Sequence, residues 1–344
     1  MVMSVVQKSR VAKTAAARRW NGLLGRNLIT LDEVSGVEVM DIVDEALLLK
    51  ASRRRGLAHR RGMEGRHVAL IFLRPSFRTR CAFSIATLDA GGHPHLLDPK
   101  EIRFGSKESL RDIARVLSRM FDLAVIRCAD TAMLQELDRH LDIPVWNAMT
   151  DQDHPTQVIA DLMTLMENGI DPAGAKLAFL GHGRGNVCSS LMKAAMKVGM
   201  TVAVVTPPGL EPEAGYLDAL RGGAEHRGGR IIVTNKVAEG VEGADAVYAD
   251  VWSNTDQPTA DIEAEVAPFQ PYRVTPEVMR LTGKTSTIFL HCMPSFHSPD
   301  TDYAKLHPTS LDTDDTVFEG VQSRVIDEAE NRLHVVKALF THAI

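Results

Sequence analysis

Along almost the whole chain, short apolar runs of strand length alternate with stretches whose apolar residues recur at helical spacing. The runs lie at 67–73, 93–97, 123–128, 143–148, 177–180, 202–205, 231–234, 246–249 and 287–290. Between them, Val39, Ile42, Val43, Ala46 and Leu47 predict a helix over 36–51. Leu110, Ile113, Val116 and Leu117 predict another over 108–120, and Ile326, Ala329, Leu333 and Val336 a last one over 326–340. Parallel neighbours need a crossover, and a helix is its usual form, so this order predicts two doubly wound parallel-sheet α/β domains. A chain of 344 residues can give each its own core. The break is expected near residue 150, with one domain over 1–150 and the other over 151–325.

The composition removes several classes of function. A net charge of −5 gives no reason to expect nucleic acid. The run Arg53-Arg54-Arg55 with Arg60-Arg61 is short, has no interleaved aromatics, and reads as a solvated helix end. No apolar stretch is long enough to span a bilayer, so no membrane is expected. Cys81, Cys128, Cys188 and Cys292 form neither a disulfide framework nor a CxxC pair, which suits a reducing cytoplasm. No Cys/His spacing suggests a metal. The first 26 residues carry Lys8, Arg10, Lys13, Arg18, Arg19 and Arg26 without an acid. That composition resembles an organellar transit peptide; a basic arm packed on a neighbour is the favoured alternative.

The chemistry is concentrated at strand ends. After the run 67–73 come Arg74-Pro75-Ser76-Phe77-Arg78-Thr79-Arg80, and Cys81 to Ala86 reads as the opening of a helix. A helix N-terminus beside Arg78, Arg80 and the hydroxyls of Ser76 and Thr79 suits a phosphate dianion. A turn capped by Ser76 with solvated arginines fits the same residues. In His154-Pro155-Thr156-Gln157, Pro155 suits the first helical position, so His154 and Gln157 share a face. They could hold a planar group with a carbonyl and an NH₂, or simply cap the helix. Arg127 closes a strand, where ligands of open α/β sheets bind, or forms a surface ion pair. Gly181-His182-Gly183-Arg184-Gly185-Asn186 has a dinucleotide-binding look, but the next strand ends in Thr206-Pro207-Pro208 without the acid such a site needs. Asp250 ends another strand, where it could instead cap a turn, and His291-Cys292-Met293-Pro294 ends a third. A lone cysteine is usually inert packing. Arg332 stands four residues from Glu328, the spacing of a helical salt bridge.

Four of these stretches, in this order, resemble the motifs of the aspartate and ornithine carbamoyltransferase family. They are the arginine loop at 76–80, His154-Pro155-Thr156-Gln157, His291-Cys292-Met293-Pro294 and Glu330-Asn331-Arg332-Leu333-His334. The resemblance runs from about Gly25 to the C-terminus and is closest to the ornithine branch. It implies that Ser76, Phe77, Arg78, Thr79, Arg103, Lys107, Arg127, His154, Gln157, Cys292, Met293 and Arg332 contact carbamoyl phosphate. Asn186 and Asp250 would hold an amino-acid acceptor, with Asn254 and Thr255 in the neighbouring loop. Arg127, His154, Cys292, Arg332 and Asp250 would carry catalysis. The last helix would pack back on the first domain, and the Lys107 loop would complete a neighbour's site in a homotrimer. No cofactor is implied. Three departures stand out: Phe77 replaces the family's first loop threonine, Ser106 and Arg103 replace a histidine and a glutamine, and Ser253-Asn254-Thr255-Asp256 replaces a Ser-Met-Gly signature. The expected reaction is transfer of the carbamoyl group to the side-chain amine of ornithine or a relative. The alternatives are another amine (lysine, a modified ornithine, putrescine) or a binding protein that has lost turnover.

Overall fold

The computed structural model describes residue 23 and residues 25–57, 62–223, 227–253 and 262–341. Most of the basic N-terminal stretch, Arg60-Arg61, and Asn254, Thr255 and Asp256 of the acceptor loop lie outside the described residues. The chain divides into two compact units, one running to Met163 and resuming at Glu330, the other Thr164–Ala329.

The first unit opens with α1 (Gly36–Arg54), started by a capping box in which Ser35 and Glu38 satisfy each other's backbone N–H groups. Then come β1 (His67–Phe72), α2 (Phe77–Asp89), β2 (His93–Leu97), α3 (Leu110–Met120), β3 (Leu123–Arg127), α4 (Thr131–Asp138) and β4 (Val145–Met149). All four strands are parallel, in the order β2-β1-β3-β4. The chain therefore moves outward from β1 to β2 and returns to the other side of β1 as β3. Loops leaving β1 and β3 diverge at their carboxyl ends, which makes this the switch point where open sheets bind ligands. Residues 68–72 of β1 and 123–126 of β3 are buried, as expected for strands covered on both faces.

Helix α5 (Pro155–Glu167) contains the boundary at residue 163. The second unit continues with β5 (Lys176–Leu180), α6 (Asn186–Val198), β6 (Thr201–Val205), α7 (Ala214–Gly222), β7 (Arg230–Thr234), β8 (Ala246–Ala249) and β9 (Ile288–His291). Its strands are also parallel, ordered β7-β6-β5-β8-β9, so its switch point lies between β5 and β8. Ala178, Leu180, Val205, Val247 and Phe289 centre its core. The last helix, α8 (Val325–Phe340), contains the second boundary. Among the described residues no helix is long and apolar enough to cross a membrane.

Three local expectations change. The helix after the arginine loop begins at Phe77 and not at Cys81, because Ser76 is its cap, so Phe77 to Arg80 form its first turn. Helix α3 begins after its cap Ser109, which leaves Lys107 upstream of the helix. Ile326 is 68% exposed, and the inward side of α8 carries Val325, Glu328, Asn331, Arg332, Val335 and Val336. The apolar spacing misled there because polar residues fill half of the buried positions.

Candidate active site

In the first unit the arginine loop and Arg127 meet at the switch point. Phe72 and Arg127 are direct partners across β1 and β3, and Leu73 N–H donates to the Arg127 carbonyl at 2.9 Å. The Ser76 Oγ accepts the Thr79 N–H at 3.4 Å and donates to the Thr79 Oγ1 at 3.0 Å. Thr79 is fully buried, and its Oγ1 also accepts from Arg332 Nη2 at 2.7 Å. Both lone pairs of that hydroxyl are thus engaged, and its own hydrogen remains to donate. Arg332 thus bonds Thr79, and Glu328 accepts from Tyr248 Oη (3.2 Å) and the His291 N–H (2.9 Å).

His154, at the start of α5, is buried, and burial pushes its pKa well below the ordinary value, with Arg332 and Arg127 adding to the effect. The imidazole is therefore neutral near pH 7, a hydrogen-bonding group without charge beside two guanidiniums. Gln157 Nε2 donates to Asp161 Oδ1 at 2.9 Å, which orients the amide. Arg78 is half-buried with its guanidinium 5.0 Å from the centre of the Phe77 ring, and Phe77 itself is exposed. An aromatic at this position thus stacks on a loop cation. Arg74 pairs with Asp151 at 2.8 Å.

Arg103 and Lys107 are not part of this group. Both are exposed between β2 and α3; Arg103 has a left-handed backbone (φ 48°) and donates from Nε to the Lys100 carbonyl. Sequence reasoning missed Lys50, which is 2% exposed and donates to Asn331 Oδ1 at 2.6 Å, with Glu330 at 3.5 Å. It fixes the two residues that precede Arg332. The signal was available, since Lys50 follows Val43 and Ala46 on the apolar stripe of α1.

In the second unit, Asn186 opens α6 after the glycine turn that leaves β5. A Cβ on Gly183 would stand 2.5 Å from the Leu210 carbonyl oxygen, so only glycine allows that close approach. Gly183 N–H donates to Thr206 Oγ1 at 3.2 Å. Asp250, just past β8, is half-buried, and burial pushes its carboxyl upward, partly offset by two hydrogen bonds. These come from the Cys292 thiol at 3.0 Å and the Val251 N–H at 2.8 Å. Ser253 Oγ lies 3.2 Å from the Tyr303 hydroxyl.

The stretch bearing Cys292 and Met293 is anchored from inside. Met293 N–H donates to His291 Nδ1 at 2.9 Å, so the ring proton sits on Nε2, which faces Asp312 Oδ1 at 3.4 Å. Asp312 also accepts from Ser295 Oγ at 2.8 Å and the Phe296 N–H at 2.9 Å. His291 and Asp312 are buried, Met293 has φ 61°, and the Met293–Pro294 bond is cis. Asp312 gave no sequence signal, because nothing in the spacing of 291 and 312 marks them as neighbours.

The carbamoyl-P binding domain model of the aspartate/ornithine carbamoyltransferases matches residues 26–167, and their Asp/Orn binding domain model matches 173–343. The chain belongs to the aspartate/ornithine carbamoyltransferase family. Among its relatives is the phaseolotoxin-insensitive ornithine carbamoyltransferase 2 of Pseudomonas syringae pv. actinidiae, 39% identical over 94% of this chain and 98% of that protein. The catabolic ornithine carbamoyltransferase of Staphylococcus aureus is 38% identical over 92% and 95% of the two chains. The solved ornithine carbamoyltransferase of Pyrococcus furiosus superposes with a TM-score of 0.85 at 33% identity, covering 94% of this chain and 98% of that one. Membership makes the chain a carbamoyltransferase, with a carbamoyl-phosphate domain preceding an amino-acid domain.

Proposed function

We propose that the enzyme transfers the carbamoyl group of carbamoyl phosphate to the side-chain amine of ornithine, giving citrulline and phosphate. The observation that carries this reading is the set Ser76–Thr79–Arg332 at the N-terminus of α2, with neutral His154 beside Arg127 and Arg332. A dianion would be held by the N-terminus of α2 and by the Arg78 guanidinium. Arg127, His154 and the Thr79 hydroxyl would donate to the carbonyl oxygen as it gains charge, and Gln157 would accept from the carbamoyl NH₂. The neutral amine forms the new C–N bond, the C–O bond to phosphate breaks, and the amine proton leaves to solvent. Cys292 and the Met293 carbonyl would guide the amine, and Asn186 and Asp250 would hold the acceptor's carboxylate and α-ammonium. All four cysteines are free thiols, which supports a reducing cytoplasm.

The test is a panel of ornithine, lysine, hydroxylated ornithine and putrescine with carbamoyl phosphate, products read by mass. A ureido amino acid with released phosphate is expected, ornithine leading unless the polar loop at 253–256 favours a modified homologue. Putrescine as the best substrate would overturn the acceptor assignment, and no ureido product from any amine would leave the silent binding protein. We further propose a homotrimer in which the exposed Lys107 and Arg103 serve a neighbouring chain. Inactive Lys107→Ala and Arg127→Ala subunits should then regain activity when mixed, and mixtures that stay inactive after verified exchange would refute shared sites.

A further inference from the structure

The Gln157 amide can be turned two ways, because the torsion that carries its oxygen and nitrogen is broad and two-fold. One way presents a carbonyl acceptor to a ligand, the other a pair of N–H donors. The fold decides between them. Asp161 stands one turn further along α5, and its Oδ1 accepts from Gln157 Nε2 at 2.9 Å. A carboxylate only accepts, so the nitrogen end of the amide must face it and the oxygen end faces away. Both side chains belong to the first unit and both are buried, with Gln157 1% and Asp161 0% exposed. Burial keeps competing water from the pair, which strengthens the bond and holds the choice. The backbone is fixed as well: Gln157 N–H donates to the His154 carbonyl at 3.1 Å, beside the neutral His154 ring.

We propose that Asp161 is a specificity-determining positioning residue, which locks Gln157 in its accepting orientation and so makes the site select a carbamoyl group over other acyl phosphates. The inference rests on the carbamoyl-transfer reading and adds what distinguishes the donor from its close analogues. Acyl phosphates differ in the group on the carbonyl carbon: NH₂ in carbamoyl phosphate, CH₃ in acetyl phosphate, O⁻ in carboxy phosphate. Of these only NH₂ can donate to Gln157 Oε1. A methyl group would face the buried carbonyl oxygen without bonding it, and O⁻ would be repelled by it. Sites that hydrogen-bond a substrate NH reject analogues lacking it by up to about 10⁴–10⁵. With the amide turned the other way, its own NH₂ would face the carbamoyl NH₂, donor against donor, and the selection would be lost. Asp161 touches no reacting atom; it acts through Gln157.

The test measures kcat/KM for carbamoyl phosphate and the competitive Ki of acetyl phosphate, with the best amine of the panel as acceptor. It compares wild type, Asp161→Asn, Gln157→Met and the double variant. Ureido product from the wild type is scored first and tests the carbamoyl-transfer reading by itself; the variants then test Asp161. Asp161→Asn keeps the shape but can donate as well as accept, so it frees both orientations of the amide. It should lower kcat/KM for carbamoyl phosphate by about 10- to 100-fold, the scale of a slightly misplaced group, while the Ki of acetyl phosphate stays within about threefold. Gln157→Met should do the same, and the double variant should be no worse than Gln157→Met, because Asp161 then has nothing to orient. Asp161→Ser, smaller and also without a carboxylate, is the second variant and should repeat the pattern. Retained binding of acetyl phosphate doubles as the check that the phosphate site is folded. Asp161 variants within about threefold of wild type for carbamoyl phosphate, equal losses for both acyl phosphates, or additive losses in the double variant would each overturn the proposal. A wild type that makes no ureido product from any amine would instead overturn the reading beneath it, and the proposal with it.

Discussion

Replacing Thr79 by valine removes one oxygen while keeping the shape of a fully buried side chain. That oxygen accepts from Arg332 Nη2 at 2.7 Å and from the Ser76 hydroxyl at 3.0 Å. A hydrogen bond to a charged group contributes about 1.5–3 kcal/mol, and a buried donor stripped of its acceptor loses about that much. If the guanidinium is held for the transition state, the loss appears in turnover at about 1.4 kcal/mol per tenfold. Thr79→Val should therefore lower kcat/KM for carbamoyl phosphate by about 10- to 150-fold. Thr79→Ser restores the oxygen and should return the enzyme to within about fivefold of wild type, since only a methyl group is lost. The assay is ureido-product formation with carbamoyl phosphate varied at saturating amine, with circular dichroism checking the fold. A valine variant within about threefold of wild type, or a serine variant as impaired as valine, would refute the role assigned to this hydroxyl.

Two other perturbations test different parts of the molecule. Asp312→Asn keeps the volume but halves the acceptors facing Ser295, Phe296 and His291; kcat should fall about 10- to 100-fold with little change in KM for carbamoyl phosphate, and the alkylation rate of Cys292 should shift. Unchanged kcat and thiol reactivity would remove the anchoring role. Acid should weaken the first unit through His334, whose pKa is lowered from 6.5 to about 4 by burial, against the pull of Glu330. The folded state stays neutral while the unfolded chain binds a proton below about 6.5, so stability is complete above that pH and falls as pH drops toward 4. The whole span is worth roughly 3 kcal/mol, buried His154 acts in the same direction, and His334→Gln should flatten the decline in urea midpoints between pH 7 and 4. Parallel curves for the two proteins would contradict it.

The sequence by itself determined the class of fold and pointed to the stretches proposed to carry the chemistry. Strand-length apolar runs alternating with helical stripes leave little besides parallel sheets with crossover helices, and the four motifs name most of the candidate residues. Those signals are local, readable from residues a few positions apart. What tertiary structure decided concerns pairs far apart in the chain. Arg332 bonds Thr79, 253 residues away, a partner that no helical spacing announces. Lys50 reaches Asn331 across 281 residues, and His291 meets Asp312 through a turn that no periodicity announces. Strand order is likewise absent from the sequence: β3 returning to the far side of β1 makes the switch point where Arg127 meets the arginine loop. Hydrophobic periodicity records which face of an element is buried, but a buried polar group is placed by the one partner that satisfies it, and only the folded chain selects that partner.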